Sequence, residues 1–228
     1  MPSLLDVSLL SQHIDCWIFD LDNTLYSPKL GIFAQIDVRM GAFIMQIVGC
    51  DATEARTIQK RYFHDHGTTL AGMMRHHGVA ADDFLEFVHD IDLANLEPDA
   101  VLRETLSKLP GSRHIFTNAD ASYATRILTR IGIDDLFQSI VDIRATDYSP
   151  KPEQDAYGHL FRLIPDMQPT NTLFVDDMSR NLRPAHALGI TTVWLDNGSE
   201  AGNRDHDPAH VDHHINNLHD WLRAITGC

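Results

Sequence analysis

Five short apolar runs, at 16–19, 115–116, 140–143, 172–175 and 192–195, are rich in β-branched and aromatic residues, and stretches of helical pattern lie between them. A strand that is apolar along its whole length must be covered on both faces, and strand alternating with helix is the pattern of a parallel sheet with helices on either side. The stretches 122–131 and 153–164 supply such helices, the second with Pro152 placed for its first turn. Residues 211–215 read as a last short strand and 217–225 as a closing helix.

The spacing therefore predicts an α/β fold, a Rossmann-like three-layer core with a mainly parallel sheet. One interval breaks the rhythm. Between 27 and 109 there are several helical patterns and no strand, so this span is expected to be an inserted α-helical cap on a core formed by 1–26 and 110–228. Ile32, Ile36, Met40, Phe43, Ile44 and Ile47 recur at helical spacing, and Asp51 with Glu54 has the form of a capping box opening the next helix. Further cap helices are expected at 69–76, 82–89 and 99–109. Pro28 and the Glu97-Pro98 pair mark the hinges.

Composition limits the partners. Thirty-two acidic against 18 basic side chains leave a net charge of -14, with no run of Lys or Arg, which argues against nucleic acid polymers and anionic membranes. The first fifteen residues have no basic segment and only short apolar stretches, so no signal peptide or membrane span is expected there. Three cysteines without metal-type spacing suit a reducing compartment, and a cytoplasmic protein, monomer or homodimer, is expected.

In an open parallel sheet, ligands bind beyond the carboxyl ends of the strands, so the polar residues that end each run carry the functional information. The first run ends in Asp20-Leu21-Asp22-Asn23-Thr24, the second in Thr117-Asn118 and the fourth in Asp176-Asp177. Asp20 and Asp22 lie two apart, so in extended backbone they reach the same side. That pair suits a nucleophile and an acid/base partner: Asp20 attacks phosphorus, while Asp22 protonates the leaving oxygen and later deprotonates water. Four carboxylates sharing a site with a phosphate dianion require a cation. A hard Mg²⁺ held by Asp20, Asp176 or Asp177 and the backbone carbonyl of Asp22 would meet this need, and Lys151 adds a fixed positive charge. Thr117, Asn118 and Lys151 are expected to bind the phosphoryl oxygens.

These elements, DLDNT at 20–24, FTN ending at Asn118, KP at Lys151 and FVDD ending at Asp177, resemble in order the four motifs of the haloacid dehalogenase superfamily. The resemblance runs from about 16 to 196, cap included. Within that superfamily, the start extended through Tyr26, the segment 67–72 and the DDMSRN ending at Asn181 are similar to the pyrimidine 5'-nucleotidase branch. That similarity implies a small phosphomonoester substrate such as UMP or CMP, recognised by the cap around His66, Gly67, Thr68 and Thr69.

Alternative readings stay open. A phosphomutase would use the same motifs, and a non-catalytic binding protein could share the fold. A haloalkanoate dehalogenase needs neither the metal nor a second acid at Asp22. The 14 histidines, including His206, His210, His213, His214 and His219, are read as packed or solvated rather than as a metal cluster, and Asn181 as structural. Phe43, Met45, Tyr62, Phe63, Met73 and Met74 are read mainly as cap core.

Overall fold

The computed structural model describes residues 10–228; the part of the N-terminal reading that falls on residues 1–9 lies outside them. Six strands form one sheet: β1 (Cys16–Phe19), β2 (Ser112–Phe116), β3 (Ser139–Val141), β4 (Thr172–Asp176), β5 (Thr191–Leu195) and β6 (His213–Ile215), in the spatial order β3-β2-β1-β4-β5-β6. All five neighbouring pairs are parallel. β1 is buried at every residue, and its side chains alternate between two cores. Trp17 and Phe19 face one with Leu173 and Val175, while Cys16 and Ile18 face the other with Phe116 and Phe174. This is why the strand reads as an unbroken apolar run: both sides of the sheet are covered.

The core helices are the single turn α1 (Leu10–His13), then α6 (Ala100–Ser107), α7 (Ala121–Ile131), α8 (Gln154–Leu163), α9 (Ser179–Ala187) and α10 (Leu218–Thr226). The cap contributes α2 (Ile32–Val48), α3 (Ala52–His66), α4 (Thr69–His77) and α5 (Ala81–His89), which pack on one another. Asp51 caps α3 by accepting from the amides of Thr53 and Glu54. No single described helix is long and apolar enough to cross a membrane.

Several boundaries differ from those expected. Pro152 is not in the first turn of α8; it follows a cis peptide bond to Lys151, and Glu153 is the N-cap. β3 stops at Val141, because Asp142 turns its carboxylate to cap the amides of Ala121 and Ala145. α6, at the end of the span taken for the cap, packs on α10 and on the turn Asp134–Leu136 of the core. On this packing the domain division is proposed to fall before α6 rather than at 109.

The exit from the cap is fastened to α7. Arg126 donates to the carbonyls of His89 and Ile91, at 2.9 and 3.0 Å, and Arg130 to that of Leu96 at 2.8 Å. At the opposite end of the sheet, Gly111 brings β2 alongside β1. Its φ is +74°, and a Cβ there would stand 1.9 Å from the Asp15 carbonyl oxygen, which accepts from the Ser112 amide. Gly111→Ala is therefore expected to destabilise the protein by roughly 3 kcal/mol, through both the left-handed backbone and the steric overlap. A urea titration checks this; an unchanged midpoint would mean that the β1–β2 junction relaxes freely.

Candidate active site

β1 and β4 are adjacent, with Phe19 in register with Val175, so the residues that leave their carboxyl ends are brought together. Asp20 follows β1, its amide bonded to the Val175 carbonyl, and Asp176 ends β4. Lys151 reaches the same point from the loop after β3. The residue is 1% exposed, and its ammonium group donates to three oxygens: Asp20 Oδ1 at 2.7 Å, Asp176 Oδ2 at 2.8 Å and the Phe116 carbonyl at 2.8 Å. The rings of Phe116 and Phe174 flank the charge, each with its centroid 5.2 Å from Nζ. Asn118 holds this loop in place, donating from Nδ2 to the Lys151 carbonyl and accepting the Lys151 amide on Oδ1.

The carboxylates are unequal. Asp176 is fully buried and saturated: besides Lys151, it accepts from both the Met178 amide and Asn181 Nδ2. Asn181, read as structural, holds both oxygens of Asp176 and also lines the cavity. Asp177 instead lines the cavity, as do Asp20 and Asp22. Thr24, the last residue of the first motif, links the two strand ends by accepting from the Asp177 amide and donating to Asp20 Oδ2, each at 3.1 Å. Thr117 is buried beside them and takes the Ala119 amide on its hydroxyl.

Burial pushes the Asp20 carboxyl up to about 7, against the pull of Lys151 and with added repulsion from Asp176 and Asp22. Burial likewise pushes Asp177 well above the usual range, helped by Asp20 and Asp176. Desolvation would lower Lys151, yet Asp176 and Asp20 outweigh it and hold the ammonium above its ordinary value. One oxygen each from Asp20, Asp176 and Asp177 lie within 4.8 Å of one another. A buried, all-oxygen donor set with excess negative charge fits a hard divalent cation such as Mg²⁺ and offers nothing to a thiophilic one.

Above this floor is a cavity of about 190 Å³ between core and cap. The cap supplies a mainly apolar wall that includes Phe33, Ile36, Phe63 and Leu85, with Asp37, Gln59, Lys60 and His89 among its polar members, and the loop after β5 adds Ser199 and Glu200. Of the four cap residues singled out in the sequence, Thr68 and Thr69 line the cavity. His66 does not; its Nε2 is 2.8 Å from Nε2 of His76, and the Gly67 carbonyl accepts from Arg180 at 3.2 Å. Adjacent aromatic rings at the end of α3 and in α4 make this the more favourable packing for His66.

Sequence reasoning missed the clasps between cap and core. Lys60 bonds Glu200 at 2.8 Å, Arg180 covers the Phe63 ring at 4.4 Å, and Arg144 pairs with Asp82. It also missed the partners of Asp22, whose Oδ1 accepts from Tyr26 and Tyr123. Tyr26 lay inside a quoted motif, but nothing in a linear pattern brings Tyr123 to it. The C-terminal histidines disperse. His206 and His214 both stack on Trp194, at 4.2 and 4.6 Å, and His219 pairs with Asp99. The Trp194 indole donates to the Asp177 carbonyl, and His206 shares a hydrogen bond with Ser179.

These carboxyls would make any metal affinity of the site proton-linked. The Asp20 value of about 7 lies above the unfolded value of about 3.9. The group's contribution to stability is thus complete below about pH 4 and lost as pH rises through about 7. A cation on the ionised carboxylates would restore what is lost. After EDTA treatment, Mg²⁺ is expected to raise the melting midpoint more at pH 8 than at pH 5, and calorimetry in paired buffers should show proton release on binding. Equal midpoint shifts without proton release would contradict the arrangement.

Comparison with known proteins agrees with this geometry. The family model for haloacid dehalogenase-like hydrolase matches residues 14–189, more than half of the chain. Phosphate metabolism protein 8 of Saccharomyces cerevisiae is 26% identical over 194 residues, covering 78% of this chain; the chain spans 60% of that relative's length. The solved HAD phosphatase from Thermococcus onnurineus superposes with a TM-score of 0.62 at 18% identity, covering 94% of this chain and 98% of that one. The HAD-hydrolase YfnB from Bacillus subtilis, bound to magnesium, gives 0.60 at 15% identity, with coverage of 93% and 99%. With the strand-end carboxylates and the buried lysine already in place, the family match identifies the chain as a member of the haloacid dehalogenase-like hydrolases.

Proposed function

We propose that the protein is a Mg²⁺-dependent phosphomonoester hydrolase that works through an aspartyl-phosphate on Asp20. The observation that carries this reading is the meeting of Asp20, Lys151 and Asp177 at one end of the cavity, with Asp22 lining the same space. Asp20 and Asp177 are the side chains that would hold the metal directly, with Asp176 behind them. Bound there, the cation would offset the carboxylate charge and polarise the phosphoryl group.

The chain's own residues account for the remaining steps. Lys151 orients Asp20 and balances charge that no solvent reaches. Thr117, with its hydroxyl hydrogen available, donates to a phosphoryl oxygen. Asp20 attacks phosphorus, and Asp22 protonates the leaving oxygen and then accepts a proton from the hydrolytic water. The cap excludes bulk water, which strengthens each of these electrostatic contacts. Asn118 has both ends of its side chain occupied by the Lys151 backbone, so its contribution to phosphate binding is to fix the lysine.

For the substrate we propose a pyrimidine nucleoside monophosphate. The similarity of the Tyr26, 67–72 and Asn181 segments to pyrimidine 5'-nucleotidases supports this, as does a cavity whose distal wall is apolar with Gln59 and Lys60 set into it. The substrate expectation rests on Thr68 and Thr69 rather than on His66. In a panel of phosphorylated metabolites with Mg²⁺, UMP and CMP are expected to exceed purine monophosphates and sugar phosphates in kcat/KM by at least about tenfold. A better sugar phosphate would remove the nucleotidase reading and leave the phosphatase one.

The two aspartates separate under a second test. Asp20→Asn is expected to abolish the acid-stable phosphoenzyme with every substrate. Asp22→Asn should still form it from p-nitrophenyl phosphate while losing about 10²–10⁴-fold on esters with poor leaving groups. Rapid quench with labelled phosphate reads both, and a phosphoenzyme in Asp20→Asn would refute the nucleophile.

A further inference from the structure

The chemistry above leaves two buried phenols without a role. Tyr26 sits in the turn after β1 and Tyr123 in the first turn of α7, 6% and 1% exposed. Both donate to the same atom, Asp22 Oδ1, at 2.5 and 2.8 Å, and their hydroxyls are 3.3 Å apart. Burial and the adjacent Asp22 push both phenols well above their ordinary value, so they remain protonated donors.

Tyr123 is itself braced from the cap. The His89 ring, at the last residue of α5, stacks on it with centroids 4.3 Å apart and planes 12° from parallel. His89 Nδ1 lies 2.5 Å from Asp120 Oδ2, and Asp120 Oδ1 accepts the Tyr123 amide at 3.0 Å. One carboxylate, the N-cap of α7, thus ties the end of the last cap helix to the turn that carries Tyr123.

We infer that Tyr26 and Tyr123 are positioning residues that lock Asp22 through Oδ1 and so assign Oδ2 to proton exchange with the substrate, with His89 bracing Tyr123 when the cap is seated. The inference rests on the phosphatase reading. An unrestrained carboxylate rotates and presents either oxygen, whereas two donors from separate elements on one oxygen hold a single orientation. In the first half-reaction Oδ2–H gives its proton to the ester oxygen as that P–O bond breaks and Asp20 bonds to phosphorus. In the second, Oδ2 takes a proton from water as the water oxygen bonds to phosphorus and the aspartyl P–O bond breaks. Phosphate leaves, and Asp20 and Asp22 regain their starting forms. The phenols keep their protons throughout.

Removing a hydroxyl while keeping the ring tests this, in single-turnover rapid quench with phenyl phosphate and p-nitrophenyl phosphate. These substrates share a shape and differ in how much proton donation their leaving groups need. Tyr123→Phe is expected to slow phosphorylation by phenyl phosphate about tenfold or more, yet by p-nitrophenyl phosphate within about threefold, with substrate affinity nearly unchanged. In an Asp22→Asn background the same change should add nothing, because a residue that acts through Asp22 has nothing left to position. Tyr26→Phe should repeat the pattern from the other side of the carboxylate. Equal losses on both substrates, a full additional loss in Asp22→Asn, or wild-type rates in both Phe variants would overturn the inference alone. A wild-type enzyme that forms no phosphoenzyme would remove the phosphatase reading and the inference with it.

Discussion

The buried ammonium group of Lys151 is the contact on which the site depends. Two carboxylates, Asp20 and Asp176, leave adjacent strands in buried surroundings, Asp20 with only its edge on the cavity, and their repulsion opposes folding unless a cation stands between them. Removing one partner of such a group is far costlier than the net worth of any one pair, because it leaves charge buried and uncompensated. The requirement propagates outward. The loop after β3 must deliver the lysine, Asn118 must fasten that loop, and Asn181 must saturate the remaining oxygens of Asp176. Lys151 neutralises only part of the charge, and the excess is what suits the floor of the cavity to the divalent cation proposed for it.

A second layer of organisation joins cap and core. The exit segment is held by arginines of α7 through backbone carbonyls, and these contacts do not depend on which side chains the segment carries. On the other side the contacts are side-chain specific: Lys60 with Glu200 and Phe63 beneath Arg180. The upper wall of the cavity is thus assembled from two separate stretches of chain, the cap helices and the loop after β5.

Strand ends and motif residues were legible in the sequence because they obey local rules. An apolar run closed by a carboxylate states where a parallel strand delivers a side chain, and the six-stranded sheet places Asp20, Thr117, Lys151 and Asp177 around one cavity. Features that depend on rotamer and on distant pairing were not legible. His66 looked suited to the cavity by its position in the chain, yet the α3–α4 pairing turns it to His76. Tyr123 lies 101 residues from Asp22, with no pattern to link them. Pro152 resembled a helix start, but the chain must first turn at Lys151 to bury that side chain, which delays α8 to Gln154.

The stacking of His206 and His214 on Trp194 has an optical consequence. Its indole N–H is tied to the backbone of Asp177, one of the residues proposed to meet the metal, and two imidazoles stack on its ring, near enough to quench the excited indole on contact. The chain therefore carries a chromophore wired to the carboxylate end of β4. Of the three tryptophans in the chain, it is the one placed to respond to a change at that loop without any attached dye.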